Sequence, residues 1–201
     1  MHRRLMLGFA LLAGVAAGTV EAQTPPIRVR GTVASFADGV LNVNSRDGQK
    51  LEIMLPDAVA VGTLKKVELS AITPGSFIGT ATRVAADGTQ TAIEVFVFPE
   101  AMRSTGEGHH PWDLEPGSMM TNGTVKGEVT GTAGHELSIA YKDGDTKVIV
   151  PPGIPIVTPA PASRADLKPG APVFVVVKKD EAGKMTAAAV RVGTNGVAPP
   201  M

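Results

Sequence analysis

Val29-Arg30-Gly31-Thr32-Val33 and Val125-Lys126-Gly127-Glu128-Val129 share the pattern Val-x-Gly-x-Val at an offset of 96 residues. Outward from that pair, Asp47-Gly48 returns as Asp143-Gly144, again at 96. Pro74-Gly75 returns as Pro169-Gly170, and Thr91-Ala92-x-x-Val95-x-Val97 as Thr186-Ala187-x-x-Val190-x-Val192, both at 95. Landmarks kept in order with one residue of drift indicate a duplicated unit, since self-similarity at a fixed spacing marks repeated structure.

Each unit reads as β. Alternating β-branched residues between Gly turns recur, and no segment after the N-terminus has a helical period. Strands are expected near 27–35, 39–45, 49–55, 76–83 and 91–98, and again near 123–131, 136–142, 145–150, 171–179 and 185–192. Ala37-Asp38-Gly39, Arg46-Asp47-Gly48, Ala86-Asp87-Gly88, Thr132-Ala133-Gly134, Asp143-Gly144 and Ala182-Gly183 supply the turns, because Gly accepts the positive φ a tight turn needs. Longer connections span 56–75 and 151–170, and Ser163 to Leu167 suffices for one helical turn. Pro151 to Pro161 holds five prolines, which argues against a central strand there. Three strands, a long crossing and a hairpin give an all-β reading: two tandem five-stranded OB-like barrels, 27–98 and 123–193. A linker at 99–122 joins them, and 194–201 is expected as a flexible tail.

Residues 1–22 read as a cleaved signal peptide. His2-Arg3-Arg4 precedes an apolar run of 14 residues, Leu5 to Gly18, and Val20-Glu21-Ala22 provides the cleavage site. A spanning helix needs about 20 apolar residues. No membrane span is therefore expected after processing, and the destination is periplasmic or secreted. With no cysteine, stability must come from packing. The chain from Gln23 carries 17 basic and 18 acidic residues, a balance that gives no bulk attraction to nucleic acid or anionic lipid. No nucleic-acid partner is expected, since aromatic residues are scattered and Lys65-Lys66 and Lys178-Lys179 are isolated pairs.

Comparing the two units singles out one strand. Ala188, Val190 and Val192 read as inward, with Ala189 and Arg191 outward. The first unit matches the inward set with Ile93, Val95 and Val97, but its outward set is Glu94, Phe96 and Phe98. Apolar rings on an outward face imply a cover: the linker, the second barrel or another protein. Phe96, Phe98 and Trp112 are thus the expected interaction surface. The linker concentrates His109, His110, Trp112, Met102, Met119 and Met120 among four acids and one base, Arg103. Imidazole, thioether and carboxylate groups suit copper or another transition metal, which makes His109, His110, Met119, Met120 and Asp113 the candidate ligands. No fixed ligand spacing accompanies them, and no cofactor follows from the pattern alone. No nucleophile motif, phosphate loop or paired-carboxylate signature points to an enzyme; His135 reads as a turn residue and its neighbour Glu136 as solvated.

The Val-x-Gly-x-Val pattern, Ala165-Asp166-Leu167-Lys168-Pro169-Gly170 and Met185 to Val192 resemble a family of exported bacterial β-barrel domains of unknown function, often found in tandem. The resemblance covers Ile27 to Val192 outside the linker and implies a fold, with no catalytic residue. The His-His-Pro-Trp-Asp linker is similar to that of proteobacterial relatives, some of which carry the label metal ABC transporter permease. A permease needs several spanning helices, so the resemblance implies at most an exported accessory to metal handling. The sequence predicts a non-enzymatic binding or envelope-interaction protein whose partner is a protein or envelope component. The alternatives are a periplasmic metal-binding accessory protein and a hydrolase of an envelope substrate.

Overall fold

The computed structural model describes residues 26–131 and 134–199. The expected signal peptide and the Thr132-Ala133 turn lie outside them. The strands are β1 (Ile27–Ala37), β2 (Val40–Ser45), β3 (Lys50–Met54), β4 (Val61–Lys66), β5 (Phe77–Val84), β6 (Gln90–Val97), β7 (Gly108–Pro111), β8 (Met119–Gly131), β9 (Gly134–Tyr141), β10 (Gly144–Val150), β11 (Ile156–Pro161), β12 (Pro172–Lys179) and β13 (Met185–Val192). Among the described residues there is no α-helix, only 3-10 turns at Leu69–Ala71, Glu100–Met102 and Arg164–Asp166. Among these residues no helix is therefore long and apolar enough to cross a membrane. Asp38 and Gly39, with φ of 52° and 75°, make the two-residue turn between β1 and β2 that right-twisted strands favour.

Hydrogen bonds close two rings of five strands, and each ring draws on both halves of the chain. Ring one runs β1-β2-β3-β13-β12 and back to β1, with β3 and β13 parallel. Ring two runs β8-β9-β10-β6-β5 and back to β8, with β10 and β6 parallel. Ring membership thus crosses the sequence division into 27–98 and 123–193. The cores show the same crossing. Val29, Val33, Leu41 and Ile53 pack with Val175, Val177, Val190 and Val192 in one cluster. Ile78, Ala92 and Val95 pack with Val125, Leu137, Ile139 and Val148 in another.

The crossing runs through two strands that sequence reading left as connections. β4 pairs β11 antiparallel, β4 runs parallel to β13, and β11 runs parallel to β6. The β4–β11 register is reciprocal: Gly62 faces Pro161, Lys66 faces Val157, and Leu64 faces Pro159 at the centre. At an offset of 95 each pair maps onto its mirror. That is the register an internal two-fold produces. The prolines did not prevent the strand. The Ile156 carbonyl accepts from Val67 N–H on the β4 side and the Pro155 carbonyl accepts from Val95 N–H on the β6 side. Backbone groups alternate sides along a strand, so Pro155, Pro159 and Pro161 all direct their missing N–H away from β4. Along β11, β6 pairs only with Ile156 and Val157.

The registers also correct the alignment of the opening motif. The Val33 carbonyl accepts from Gly170 N–H and the Val125 carbonyl from Gly75 N–H, both at 2.8 Å. Register shifts follow at Val33/Ser35 and at Val125/Gly127. A Cβ on Gly31 would lie 2.1 Å from the Asn44 carbonyl oxygen, and one on Gly123 would lie 2.4 Å from that of Ala140. One on Gly127 would meet nothing within 4 Å. Gly31 therefore corresponds to Gly123, at an offset of 92, and not to Gly127. Alternation has period two, so a slip of four residues keeps every side chain on its face and is invisible to pattern matching.

A second correction concerns the last strand of each half. β5 and β6 shift register between Ala81 and Thr82, leaving Ile93 unopposed; β12 and β13 shift at Val176 and Val177, leaving Ala188 unopposed. These are bulges at equivalent positions, and a bulge reverses the alternation on one side of itself. The inward row accordingly continues through Ala92 and Ala187, both buried, while Ala188 is exposed. Residues 194–199, expected as a tail, are held by a Thr194–Val197 bridge and by a 2.8 Å hydrogen bond between the Thr63 and Thr194 hydroxyls.

Candidate functional site

The linker is an ordered hairpin laid over ring two. β7 pairs with the first residues of β8, placing His110 opposite Met120 and His109 opposite Thr121. The intervening loop closes on itself: Trp112 N–H donates to the Ser118 carbonyl at 2.8 Å, and the Ser118 hydroxyl donates back to the Trp112 carbonyl at 3.0 Å. Gly117 turns it, with φ of 76°. Ion pairs and hydrogen bonds pin the segment to the rings. Asp113 binds Arg30 at 2.8 Å and Arg28 at 3.6 Å, Glu115 binds Arg83, and the Arg103 guanidinium donates to the Gly75 carbonyl at 3.0 Å. The Arg28 guanidinium lies 4.0 Å above the Trp112 ring.

Directly opposed residues on neighbouring strands share a face of the sheet. On the outer face of ring two, Asn122, Gly79 and Phe96 form one row, and His110, Met120, Ala81 and Glu94 form another. The equivalent rows of ring one are Arg30, Phe174 and Arg191, then Arg28, Val176 and Ala189. These two outer faces meet. The Arg191 guanidinium sits 5.3 Å from the Phe96 ring centroid, and Phe96 is buried with Leu64 and Val157 at the crossing. Phe98 packs against Phe96 and Phe77 with ring centroids 4.6 and 5.2 Å apart. Where ring one has the Phe174 ring beneath Arg30, ring two has Gly79, with no side chain.

A cavity of about 200 Å³ occupies this place. Phe96, Phe98, Trp112 and Met120 give it apolar walls, and Arg28, Glu94, His110 and Asn122 add polar groups. Glu94 is 2% exposed, and its Oε2 has no hydrogen-bond partner. Burial pushes its pKa up to about 8, against the opposing pull of Arg30 and Arg46. Two further buried polar atoms lack partners among the described residues: Trp112 Nε1, of a residue that lines the same cavity, and Arg30 Nε. Buried polar groups are ordinarily satisfied, and each exception calls for an occupant or a function.

The five candidate metal ligands are dispersed. His109 and His110 are consecutive on β7 and so face opposite sides of the sheet. His109 is within 2.8 Å of the Thr121 hydroxyl and stacks on Tyr141. His110 packs edge-on to Trp112 and faces Met120 across the cavity side. Met119 lies on the other side with His109, opposite Pro111. Asp113 is committed to Arg28 and Arg30. Burial lowers the pKa of both histidines, helped by His110 for His109 and by Arg28 for His110. Among the described residues no three His, Cys, Asp or Glu side chains form a metal-sized group.

Phe96, Phe98 and Trp112, the expected interaction surface, all line the one cavity. Sequence reading placed Glu94 on the outward face without assigning it a role, and passed over Arg28 and Gly79. The available signal was asymmetry between halves: Glu94 stands where the other half has Ala189, and Gly79 where it has Phe174. Comparison with family models, with curated proteins and with solved structures returns no match to this chain.

Proposed function

We propose that the protein is an exported, non-catalytic binding module whose small ligand occupies the cavity between the two rings. The observation that carries this reading is Glu94, a residue that lines the cavity, is 2% exposed and has a carboxyl oxygen without a partner. Leaving such a group unpaired costs roughly 1–3 kcal/mol, and a ligand or ordered water that pairs it recovers that cost. Ligand sites are typically apolar pockets with a few placed polar groups. Each ring is a three-strand meander and a hairpin joined through one parallel pair, β3 with β13 and β10 with β6, which supports the OB-like reading. That fold alone assigns no ligand.

The test is a fragment screen by ligand-observed NMR on the chain from Gln23, repeated on Gly79→Ala. A Cβ there would lie 2.4 Å from Asn122 Oδ1 and 3.1 Å from the Phe98 ring, which narrows the cavity. Hits lost in a folded Gly79→Ala variant support the reading. A screen with no hits, or hits indifferent to the substitution, contradicts it.

Metal handling is the second reading. It rests on His110 and Met120, directly opposed and both on the cavity. It would be tested by copper titration of the wild type and of His110→Ala.

A further inference from the structure

We infer that the ligand of this cavity is a small organic acid, a carboxylate on an apolar body about the size of one ring. The inference rests on the binding reading above and names its ligand class. Size comes first. An apolar cavity of about 150 Å³ accepts a benzene, and this one, at about 200 Å³, leaves room for one more small polar group. Phe96, Phe98, Met120 and Trp112 suit an apolar body, and none offers a hydrogen bond except the Trp112 indole.

Charge selects the polar group. The charged and titratable groups of the site and its surroundings are Arg28 and His110 on the cavity lining, Arg30 and Arg46, which act on Glu94, Asp113, bound to Arg28 and Arg30, and Arg191, over the Phe96 ring. Asp113 is already shared between Arg28 and Arg30. Burial and Arg28 hold His110 toward its neutral form. With Glu94 protonated at neutral pH, the surroundings carry a net positive charge. An open cleft of about 460 Å³ shares Arg28 with the cavity and is lined by Arg30, Arg46 and Lys179 against Asp47 and Asp113, so its net charge keeps the positive sign. A cationic ligand would be repelled on entry, and an anionic one is drawn in.

Donors complete the selection. Three residues that line the cavity can donate: Arg28 through its guanidinium, Trp112 through an indole N–H without a partner, and Glu94, when protonated, through its O–H. A carboxylate accepts from all three, and hydrogen bonds to an ionised acceptor are about twice as strong as neutral ones. Two carboxyl groups sharing one proton at close range is an established arrangement. An amide could accept from the same donors through its carbonyl, but as a neutral group it forfeits the charge-assisted strength of those bonds, and an ammonium would accept nothing from Trp112 or Arg28.

The experiment titrates the chain from Gln23 with benzoate, benzamide and benzylamine at about pH 6.5, by calorimetry and by the fluorescence of Trp112, the sole tryptophan. Benzoate is expected to bind at least about tenfold more tightly than either analogue. Its affinity should fall at least about tenfold at about pH 9.5, where ionised Glu94 opposes a second carboxylate. Glu94→Gln should remove that pH dependence; the wild-type titrations decide the ligand class if the variant does not fold. Tighter binding of benzylamine or benzamide overturns the organic-acid inference and leaves the cavity reading intact. No binding by any of the three overturns both.

Discussion

The Arg191 guanidinium covers the ring of Phe96 at 5.3 Å, and the two residues occupy equivalent positions in the two halves of the chain. A residue that touches its own counterpart lies close to the internal two-fold. Sequence comparison could show that the two differ, but not that they meet. Arg191 is mostly buried, and burial lowers its pKa. The aromatic face is what compensates its guanidinium there.

Phe96→Arg should therefore place two guanidinium groups in one buried junction. The expected loss is about 3–5 kcal/mol, from the removed ring and the uncompensated charge. The exchange Phe96→Arg with Arg191→Phe should recover part of it, giving a measurable coupling in a double-mutant cycle of urea midpoints. Strict additivity of the two substitutions would show that the residues do not interact.

Glu94 makes stability depend on pH in an unusual direction. Its folded-state pKa, about 8, lies above the ordinary carboxyl value of 4.5. The native chain therefore holds a proton that the unfolded chain gives up. The stabilisation is fully present below about pH 4.5, declines as pH rises, and is gone above about pH 8. The loss across that window is up to about 5 kcal/mol, because each tenfold difference in proton affinity between the folded and unfolded chain is worth about 1.4 kcal/mol. Urea midpoints from about pH 5 to about pH 9 should fall for the wild type. In Glu94→Gln the Glu94-dependent decline should be absent. Identical slopes in the two proteins would show that Glu94 titrates normally.

Alanine at three glycines should separate pattern from structure. Gly31→Ala and Gly123→Ala each bring a Cβ within 2.4 Å of a backbone carbonyl, whereas Gly127→Ala meets nothing within 4 Å. The first two should each lower the melting temperature by several degrees, about 2 kcal/mol or more, and the third by little. Equal effects at Gly31 and Gly127 would restore the offset of 96 suggested by sequence.

Copper and zinc titrations bear on the linker. His109 with Met119 and His110 with Met120 occupy opposite faces, and Asp113 is held by arginine. Two ligands on a face fall short of the three or four that a tight site needs. Binding weaker than micromolar is expected from calorimetry. Micromolar binding abolished by His109→Ala and His110→Ala together would show that the hairpin rearranges around a metal.

Much of the fold was legible because alternation and turn glycines are local. Asp38-Gly39 marks a hairpin by its φ preferences, and the ten strands with clear alternation are present. β4 and β11 were not legible. The prolines of β11 resemble a connection, and β4 and β11 pair with each other rather than with sequence neighbours. Strand exchange was hidden for a related reason. β13 carries the same inward residues whether it closes against β3 or against β10, so the pattern is blind to the partner. Of the site, Phe96 and Phe98 stood out by comparison of the halves and Trp112 by the composition of the linker. Glu94 did not, since a charged residue at an outward position reads as solvated until the covering face is known.

Everything at the site depends on strands crossing between halves, and one cut tests that directly. A protease recognition sequence inserted after Ser104, in the exposed loop between Arg103 and Glu107, would separate the halves covalently once cleaved. Size-exclusion chromatography of the cleaved protein should show both fragments in a single peak at the mass of the intact chain, with one cooperative unfolding transition, because each ring needs strands from both. Two separate peaks, each a folded fragment with its own transition, would contradict the account.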